Sequence, residues 1–191
     1  MKGIITHKNT SFFYEIFMNP ALQSQETKDY IINRFGDKIY KGQICLDNTK
    51  EKIENNINKN YYKAILFVKN LQINDEASAS IQCYDWCNDS NPRLWINDVC
   101  RINNSDSKPS VSPVEILFNL TIKIAKSEGF KSVHLFVIEN NNSQILTTIY
   151  KKYKFNIDNT CKMDGVLVMK RPVLQSGGRR TRSSKLRPVR N

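Results

Sequence analysis

The 191-residue sequence contains only two histidines, and this scarcity limits the metal chemistry that it can support. Its five cysteines lie at positions 45, 83, 87, 100 and 161, which is not a spacing that zinc sites use. An odd number of cysteines without a metal pattern favours buried free thiols in a reducing compartment. We therefore predict free thiols and no metal site.

Long apolar segments are also missing. No run approaches the ~20 apolar residues that a membrane-spanning helix needs. Met1–His7 lacks the apolar core and the cleavage site of a signal peptide. Hydrophobic residues make up 40% and charged residues 25% of the chain, as in ordinary globular proteins. The sequence predicts an intracellular, cytoplasmic protein with no membrane partner, and it leaves the oligomeric state open.

Acidic residues are absent from residues 176–191, although the whole chain carries 18 of them. The six basic side chains of this tail are Arg179, Arg180, Arg182, Lys185, Arg187 and Arg190. Because the tail has few apolar residues to offset its ordering entropy, we predict that it is disordered and follows a single domain at residues 1–175. Its arginines suit contact with nucleic acid or with an acidic protein partner. A solvated tail without a partner is the alternative.

The segment from Ser112 to Phe155 has the clearest pattern of the chain: a helix, a strand and a second helix. Ser112 as N-cap, Pro113 in the first turn and Glu115 as the partner in a capping box predict the start of the first helix. Gly129 stands where the end of a helix favours a positive φ. These signals predict one long helix with defined ends.

A short strand, Val133–Ile138, follows this helix and is nearly all apolar, so we predict that both of its faces are covered. Asn142 and Ser143 are predicted to cap the next helix, which ends near Lys152. A strand followed by a helix in this way places a ligand site at the carboxyl end of the strand.

The other elements are predicted from apolar periodicity and turn residues. They are strands at Tyr14–Phe17, Tyr61–Val68, Ala77–Trp86, Arg93–Ile102, Lys154–Ile157 and Gly165–Lys170, and helices at Gln25–Phe35 and Lys50–Ile57. The predicted fold class is α/β, with a mixed central sheet of about 6–7 strands flanked by about four helices.

Two phrases, Ala125–Phe130 and Ile149–Phe155, resemble motifs of the GNAT acetyltransferase superfamily. Members of this family end one helix in Ala-Lys-x-x-Gly-Phe and carry Asn-x-x-Ala-x-x-Leu-Tyr-x-x-x-Gly-Phe in the next. Tyr150 matches the family tyrosine, whereas Lys154 replaces a glycine. The resemblance covers roughly residues 93–170 and extends to the order of elements. It implies a GNAT-like fold and direct transfer of an acetyl group from acetyl-CoA to an amine.

The resemblance also implies roles for single residues. Tyr150 would protonate the departing CoA thiolate, since a phenol is protonated at neutral pH; a packed aromatic is the alternative. Asp98, or alternatively Glu139, would take the proton of the amine, whereas His134 is interpreted as a core histidine. The implied cofactor contacts are Val99, Cys100, Arg101, Lys108, Ser110, Ser112, Val114, Asn142 and Ser143.

The loop from Ile102 to Ser112 departs from the family pattern because it contains no glycine. Family members hold the CoA pyrophosphate there with backbone N–H groups, which glycine leaves accessible. Pro113 lacks an N–H, and Glu115 brings a carboxylate to the expected phosphate position. Three interpretations follow. We favour an acetyltransferase over an inactive GNAT-fold scaffold that binds a partner through its tail, and over an unrelated α/β domain.

The ending Gly177–Arg182 resembles basic endings of proteins from large DNA viruses, and the Asn-, Ile- and Lys-rich composition suits an AT-rich genome. This resemblance implies a location in the host cytoplasm or in a virion. The net charge of +11 disfavours polyamine acceptors by repulsion. The amine itself is not identified by the sequence.

Overall fold

The computed structural model describes residues 1–36, 49–87, 92–103, 111–138 and 142–174, together with the backbone of residues 39–40 and 43–44. The candidate residues Lys108, Ser110 and Glu139 lie outside these ranges. The predicted tail at residues 176–191 lies outside them as well.

The described elements follow one another in the order expected for an α/β domain. They are β1 (Lys2–His7), β2 (Thr10–Met18), a 3-10 turn (Pro20–Leu22), α1 (Gln25–Phe35), β3 (Ile39–Tyr40), β4 (Gln43–Ile44), α2 (Lys50–Asn58), β5 (Ala64–Asn70), β6 (Asp75–Tyr84), β7 (Arg93–Asn103), α3 (Pro113–Ser127), β8 (Ser132–Ile138), α4 (Ser143–Lys152), β9 (Asn156–Ile157) and β10 (Val166–Pro172). Helix α1 has the predicted bounds, and α2 and α4 are each one residue longer than predicted. The described helices are too short or too polar to cross a bilayer.

Eight strands form the main sheet in the order β1-β2-β5-β6-β7-β8-β10-β9. Every neighbouring pair is antiparallel except β7 and β8, which are parallel, so the predicted mixed sheet is confirmed. The sheet contains one strand more than the upper prediction because β1 was not predicted. Side chains of this edge strand alternate between half-buried and exposed, and Ile4 is 67% exposed. A strand with no buried face leaves no apolar alternation in the sequence.

The ends of α3 follow the sequence signals at Ser112, Pro113 and Gly129, but not at Glu115. The Ser112 hydroxyl accepts the N–H of Val114 at 3.2 Å, which confirms the N-cap. Gly129 has a φ of +80°, and the N–H of Phe130 donates to the carbonyl of Ala125 at 2.8 Å, as at a typical helix C-terminus. The predicted capping-box role of Glu115 is wrong, because its carboxylate is engaged elsewhere, as described below.

Gly36 ends α1 for a reason other than its backbone angles. Its φ is −73°, which any residue can adopt. A Cβ at this position would lie 2.8 Å from the Cα of Lys50 and 2.7 Å from the carbonyl oxygen of Ile32. Glycine therefore allows the start of α2 to approach the end of α1.

The apolar core is divided by the sheet. Helix α3 covers one face and buries nine of its fifteen residues. Seven of these belong to a cluster that reaches from β2 to β10, which we call the α3-face cluster. Helices α1 and α2 cover part of the other face. There the α1–α2 cluster consists of Ile31, Phe35, Ile53, Ile57, Tyr62, Ile65 and Phe67. A separate tryptophan cluster contains Trp95, Cys161 and Val168, with Trp86, Cys87, Phe136 and Met163 packed against it.

The prediction of free thiols is wrong for three of the four cysteines that the structure describes. Cys87 and Cys161 form a disulfide, and Cys100 is also disulfide-bonded, whereas Cys83 is exposed and free. Cys87 and Cys161 are 74 residues apart in the sequence, so no local spacing indicates the pair. Since disulfides persist in oxidising environments, the cysteines do not support the predicted reducing compartment.

Candidate functional site

Strands β7 and β8 separate after a short stretch of pairing. Their parallel ladder consists of Leu94 with Val133 and Trp95 with His134. Strand β7 continues to Asn103 and stays paired with β6 over this length. The two strands thus leave a wedge-shaped opening toward their carboxyl ends, which we call the β7–β8 wedge. Helix α3 starts at this end of β7.

A bulge in β7 lies beside the wedge. The register of β6 against β7 shifts between Ala79, which pairs with Val99, and Ile81, which pairs with Ile96. Asn97 and Asp98 therefore both lie opposite the single residue Ser80. A bulge of this kind redirects side chains at the site where it occurs.

The bulge directs Asp98 toward the face covered by α1 and α2. Its carboxylate accepts hydrogen bonds from the Ser80 hydroxyl at 2.8 Å and from the Asn97 amide at 3.3 Å. Burial, together with the nearby charge of Asp98, raises the pKa of Tyr62 in the α1–α2 cluster to about 12. Asp98 is thus a hydrogen-bonded carboxylate on the face opposite α3, at the strand that borders the wedge.

The candidate backbone contacts Val99, Cys100 and Arg101 lie beyond the last β7–β8 pair. On their other side they pair with residues of β6. The Arg101 guanidinium forms a two-pronged ion pair with the fully buried Asp75, with both distances at 2.9 Å. The positive charge of Arg101 is therefore already balanced within the protein.

Few backbone N–H groups at the start of α3 are left to donate a hydrogen bond to a ligand. Pro113 has no N–H, the N–H of Val114 bonds to the Ser112 hydroxyl, and the N–H of Glu115 bonds to the Ser112 carbonyl at 2.9 Å. The carboxylate of Glu115 contacts Nε2 of His7 at 3.1 Å and Nζ of Lys8 at 3.3 Å. These contacts offset part of the negative charge that Glu115 brings to this helix end.

Tyr150 packs on the α3 face. Its ring lies edge-on to Phe118 at 6.1 Å and to Phe155 at 6.3 Å between centroids. Burial raises the pKa of the phenol, so it stays protonated at neutral pH. Its hydroxyl makes no hydrogen bond with another described residue. This arrangement is compatible with a proton donor and also with a packed aromatic.

The start of α4 does not use the predicted cap. Asn142 occupies the N-cap position, but its side chain makes no capping hydrogen bond. Its φ of −100° and ψ of −4° are close to helical, whereas a capping side chain needs an extended backbone to reach back to the helix. The carbonyl of Ser143 accepts a hydrogen bond from the Thr147 hydroxyl at 2.7 Å.

His134 is a core residue, as predicted. It is 3% exposed, and its Nε2 lies 3.5 Å from Asp158. Burial first, and then the charge of Arg93, lower the pKa of His134 to about 4. It is therefore neutral at physiological pH. Within the described part of the chain, His, Cys, Asp and Glu side chains do not gather in groups that could hold a metal ion.

Sequence reasoning missed a cleft of about 680 Å³ between α2 and the end of β6, which we call the α2 cleft. Its lining includes Lys52, Asn56, Tyr61, Cys83, Tyr84, Trp86 and Asn97. These residues come from four separate parts of the chain, so no motif unites them. The one local signal is a set of aromatic residues at the ends of predicted elements.

Comparisons with known proteins identify the fold of the chain but not its sequence family. No protein-family model matches the sequence, and no curated protein is significantly similar to it. A GNAT-family acetyltransferase from Listeria monocytogenes superposes with a TM-score of 0.57 at 13% identity, over 89% of this chain and 99% of that chain. A GNAT-family N-acetyltransferase from Escherichia coli, solved in complex with CoA, superposes with a TM-score of 0.50 at 8% identity, over 89% and 86% of the two chains. The chain therefore has the GNAT fold, and its function requires a separate argument.

Proposed function

We propose that the protein is an acyl-CoA-dependent N-acetyltransferase that transfers an acetyl group directly from acetyl-CoA to an amine. The observation that carries this proposal is the β7–β8 wedge. Asp98 lies on the strand at one side of the wedge, and Tyr150 lies on the helix that follows the strand at the other side. An acid and a base on opposite sides of one opening suit a reaction that depends on positioning two reactants.

In this proposal the pantetheine arm of the cofactor occupies the wedge. The arm would lie along β7 beyond the last residue that pairs with β8, and its amides would pair with the backbone of Val99, Cys100 and Arg101. Ser112 and Val114 at the start of α3 and Asn142 and Ser143 at the start of α4 are the further proposed cofactor contacts. Lys108 and Ser110, in the loop before α3, complete the proposed set. Acetyl-CoA supplies the activated acetyl group.

Asp98 is the proposed base. The hydrogen bonds from Ser80 and Asn97 orient its carboxylate, and a carboxylate can accept a proton from an amine. The amine nitrogen bonds to the acetyl carbon as the thioester C–S bond breaks, and the proton of the amine passes to Asp98. Glu139 is the alternative base. Tyr150, which its raised pKa keeps protonated, gives its proton to the leaving thiolate.

One observation favours a second candidate, a GNAT-fold scaffold without catalysis. The first-turn N–H groups of α3 are absent or already bonded, and Glu115 lies among them. Helix N-termini bind phosphates through such N–H groups. In this case the basic tail would carry the function, by contacting nucleic acid or an acidic partner in the host cytoplasm or a virion.

Calorimetric titration of the full chain with acetyl-CoA separates the two candidates. We expect micromolar binding, about 8 kcal/mol, for the wild type and for a chain that lacks residues 176–191. Absence of binding at millimolar cofactor would contradict the enzyme and favour the scaffold.

The role of Tyr150 is tested with Tyr150→Phe in an amine screen that records release of the CoA thiol. We expect unchanged cofactor affinity and a turnover reduced by about 10²- to 10⁴-fold, because only the proton donor is lost. Tyr153→Phe, on the same helix, is the matched control and should retain turnover. Equal turnover of Tyr150→Phe and the wild type would leave Tyr150 as a packed aromatic.

The tail is tested by the salt dependence of binding to duplex DNA. If the tail contacts phosphates, the full chain binds DNA with an affinity that falls steeply with salt, by a slope of about −0.9 for each phosphate contact. The chain without residues 176–191 should lose this binding. Equal binding by both chains would exclude the tail as the contact.

A further inference from the structure

The α2 cleft adjoins the proposed base. Asn97 lines the cleft and donates a hydrogen bond to Asp98. Asn56 lines it from α2 and donates to the Tyr62 hydroxyl at 2.8 Å, and this tyrosine senses the charge of Asp98. The cleft therefore opens beside Asp98 on the face opposite α3, whereas Tyr150 and the start of α3 lie on the other face.

The walls of the cleft are aromatic. Tyr61 is 54% exposed and Tyr84 is 61% exposed, which is unusual for side chains of this size. Trp86 stacks on Phe136 at 5.4 Å and lies edge-on to Tyr84 at 5.8 Å, so this wall is held in place by packing. Fixed, exposed aromatic faces favour a flat apolar ligand, and a volume of about 680 Å³ suits a small molecule.

The charges near the cleft are of both signs. Lys52 is the charged side chain among the described residues of the lining. The charges of Lys63 and Glu128 both act on the thiol of Cys83, another lining residue. The aromatic walls, and not a net charge, therefore indicate which ligand the cleft binds.

On the basis of the acetyltransferase function proposed above, we propose that the α2 cleft binds the amine acceptor and that this acceptor is a small aromatic amine. Its ring lies against Tyr61, Tyr84 and Trp86. Its amino group points toward Asp98.

Cys83 provides a test that needs neither cofactor nor turnover. Its thiol lines the cleft, is exposed and forms no disulfide. Alkylation by iodoacetamide is followed at Cys83 by peptide mass spectrometry on the full chain. Labelling is done at alkaline pH, because desolvation raises the pKa of this thiol. The probes are tryptamine and L-tryptophan as aromatic amines, and spermidine as a polyamine.

We expect the aromatic amines to slow alkylation of Cys83 about tenfold at about ten times their Kd, and spermidine to leave the rate unchanged. Tyr84→Ala should lose the protection. Protection by spermidine in the wild type, or none by either aromatic amine, would overturn the proposal.

The alkylation of Cys83 and the calorimetric titration with acetyl-CoA are independent tests. If acetyl-CoA binds but aromatic amines give no protection, the acceptor proposal fails and the acetyltransferase stands. If aromatic amines protect but acetyl-CoA does not bind, the cleft is an aromatic-amine site on an inactive scaffold. In that case the acceptor role is overturned together with the enzyme.

Discussion

The two faces of the central sheet are packed in different ways. On one face a single α3-face cluster extends across the sheet, and α3 is buried on most of its sides. On the other face the apolar residues form two clusters, and the α2 cleft is bordered by α2 and by Trp86, which belong to different clusters. Continuous packing gives stability, while interrupted packing leaves polar groups accessible.

Strand β7 contributes to both faces. Ile96 belongs to the α3-face cluster, whereas Asn97, in the bulge, lines the α2 cleft and donates a hydrogen bond to Asp98. A single strand thus joins the stable face to the face where the proposed acceptor binds. The face covered by α3 therefore contributes most of the stability, and the opposite face carries the proposed binding site. Substitutions on each face test this difference.

The largest expected effect is on the continuous face. Phe118 is fully buried and contacts the rings of Tyr150, Tyr153 and Phe155. Phe118→Ala should lower the free energy of unfolding by about 3–5 kcal/mol, because it leaves a cavity among these rings. Urea denaturation measures the change.

The matched substitution on the interrupted face is Tyr84→Ala. Because Tyr84 is 61% exposed, we expect a loss of about 1 kcal/mol or less in the same assay. If both substitutions cost the same, the two faces do not differ in the way that we describe.

A decrease of intermediate size in the free energy of unfolding is expected when the pH is lowered. His134 contacts Trp95 at 5.2 Å between ring centroids, and its pKa is lowered to about 4 from 6.5. As the pH falls through this range, only the unfolded chain takes up the proton, so stability falls with pH. The loss between pH 6.5 and 4 should be about 3 kcal/mol.

His134→Phe should remove most of this pH dependence, and His7→Gln, at the other histidine of the chain, should retain it. Urea denaturation at several pH values provides the measurement. An equal pH dependence in the wild type and His134→Phe would show that the histidine does not cause it.

The smallest effects on stability are expected at residues whose φ is positive, where the backbone conformation and not side-chain packing is changed by the substitution. Lys154 has a φ of +67°, at the position where the family motif has glycine. Lys154→Gly should raise stability by about 1 kcal/mol, because glycine adopts this conformation without a steric penalty. Thermal unfolding measures the gain.

Gly165, with a φ of +69° and no atom within 4 Å of an added Cβ, gives the reverse comparison. Gly165→Ala should lower stability by a similar amount of about 1 kcal/mol. A loss of stability in Lys154→Gly would show that contacts of the lysine outweigh the strain.

Sequence reasoning predicted the elements whose signals lie within a few residues. The bounds of α1, the Ser112 cap and the positive φ of Gly129 depend on neighbouring atoms, and all three are confirmed. The side-chain cap expected from Asn142 was wrong, because its backbone is close to helical and its side chain makes no capping hydrogen bond. The edge strand β1 was missed because it has no buried face.

The site roles of Asp98, Ser112 and Tyr150 come from the family resemblance and stay predictions. The structure shows where these residues lie: Asp98 on β7, Ser112 at the N-cap of α3 and Tyr150 on α4. The orientation of Glu115 toward His7 and Lys8 depends on a hairpin more than a hundred positions away. Nothing in the local sequence indicates such a contact.

The sequence by itself determined the α/β order, the helix ends and the composition of the basic tail, since these follow from local hydrogen bonding, side-chain shape and charge. Only the tertiary structure decided the β7–β8 wedge, the Cys87–Cys161 disulfide and the α2 cleft. Each of these joins segments that are far apart in the chain. Their contacts form because burying the apolar faces of the sheet brings those segments together.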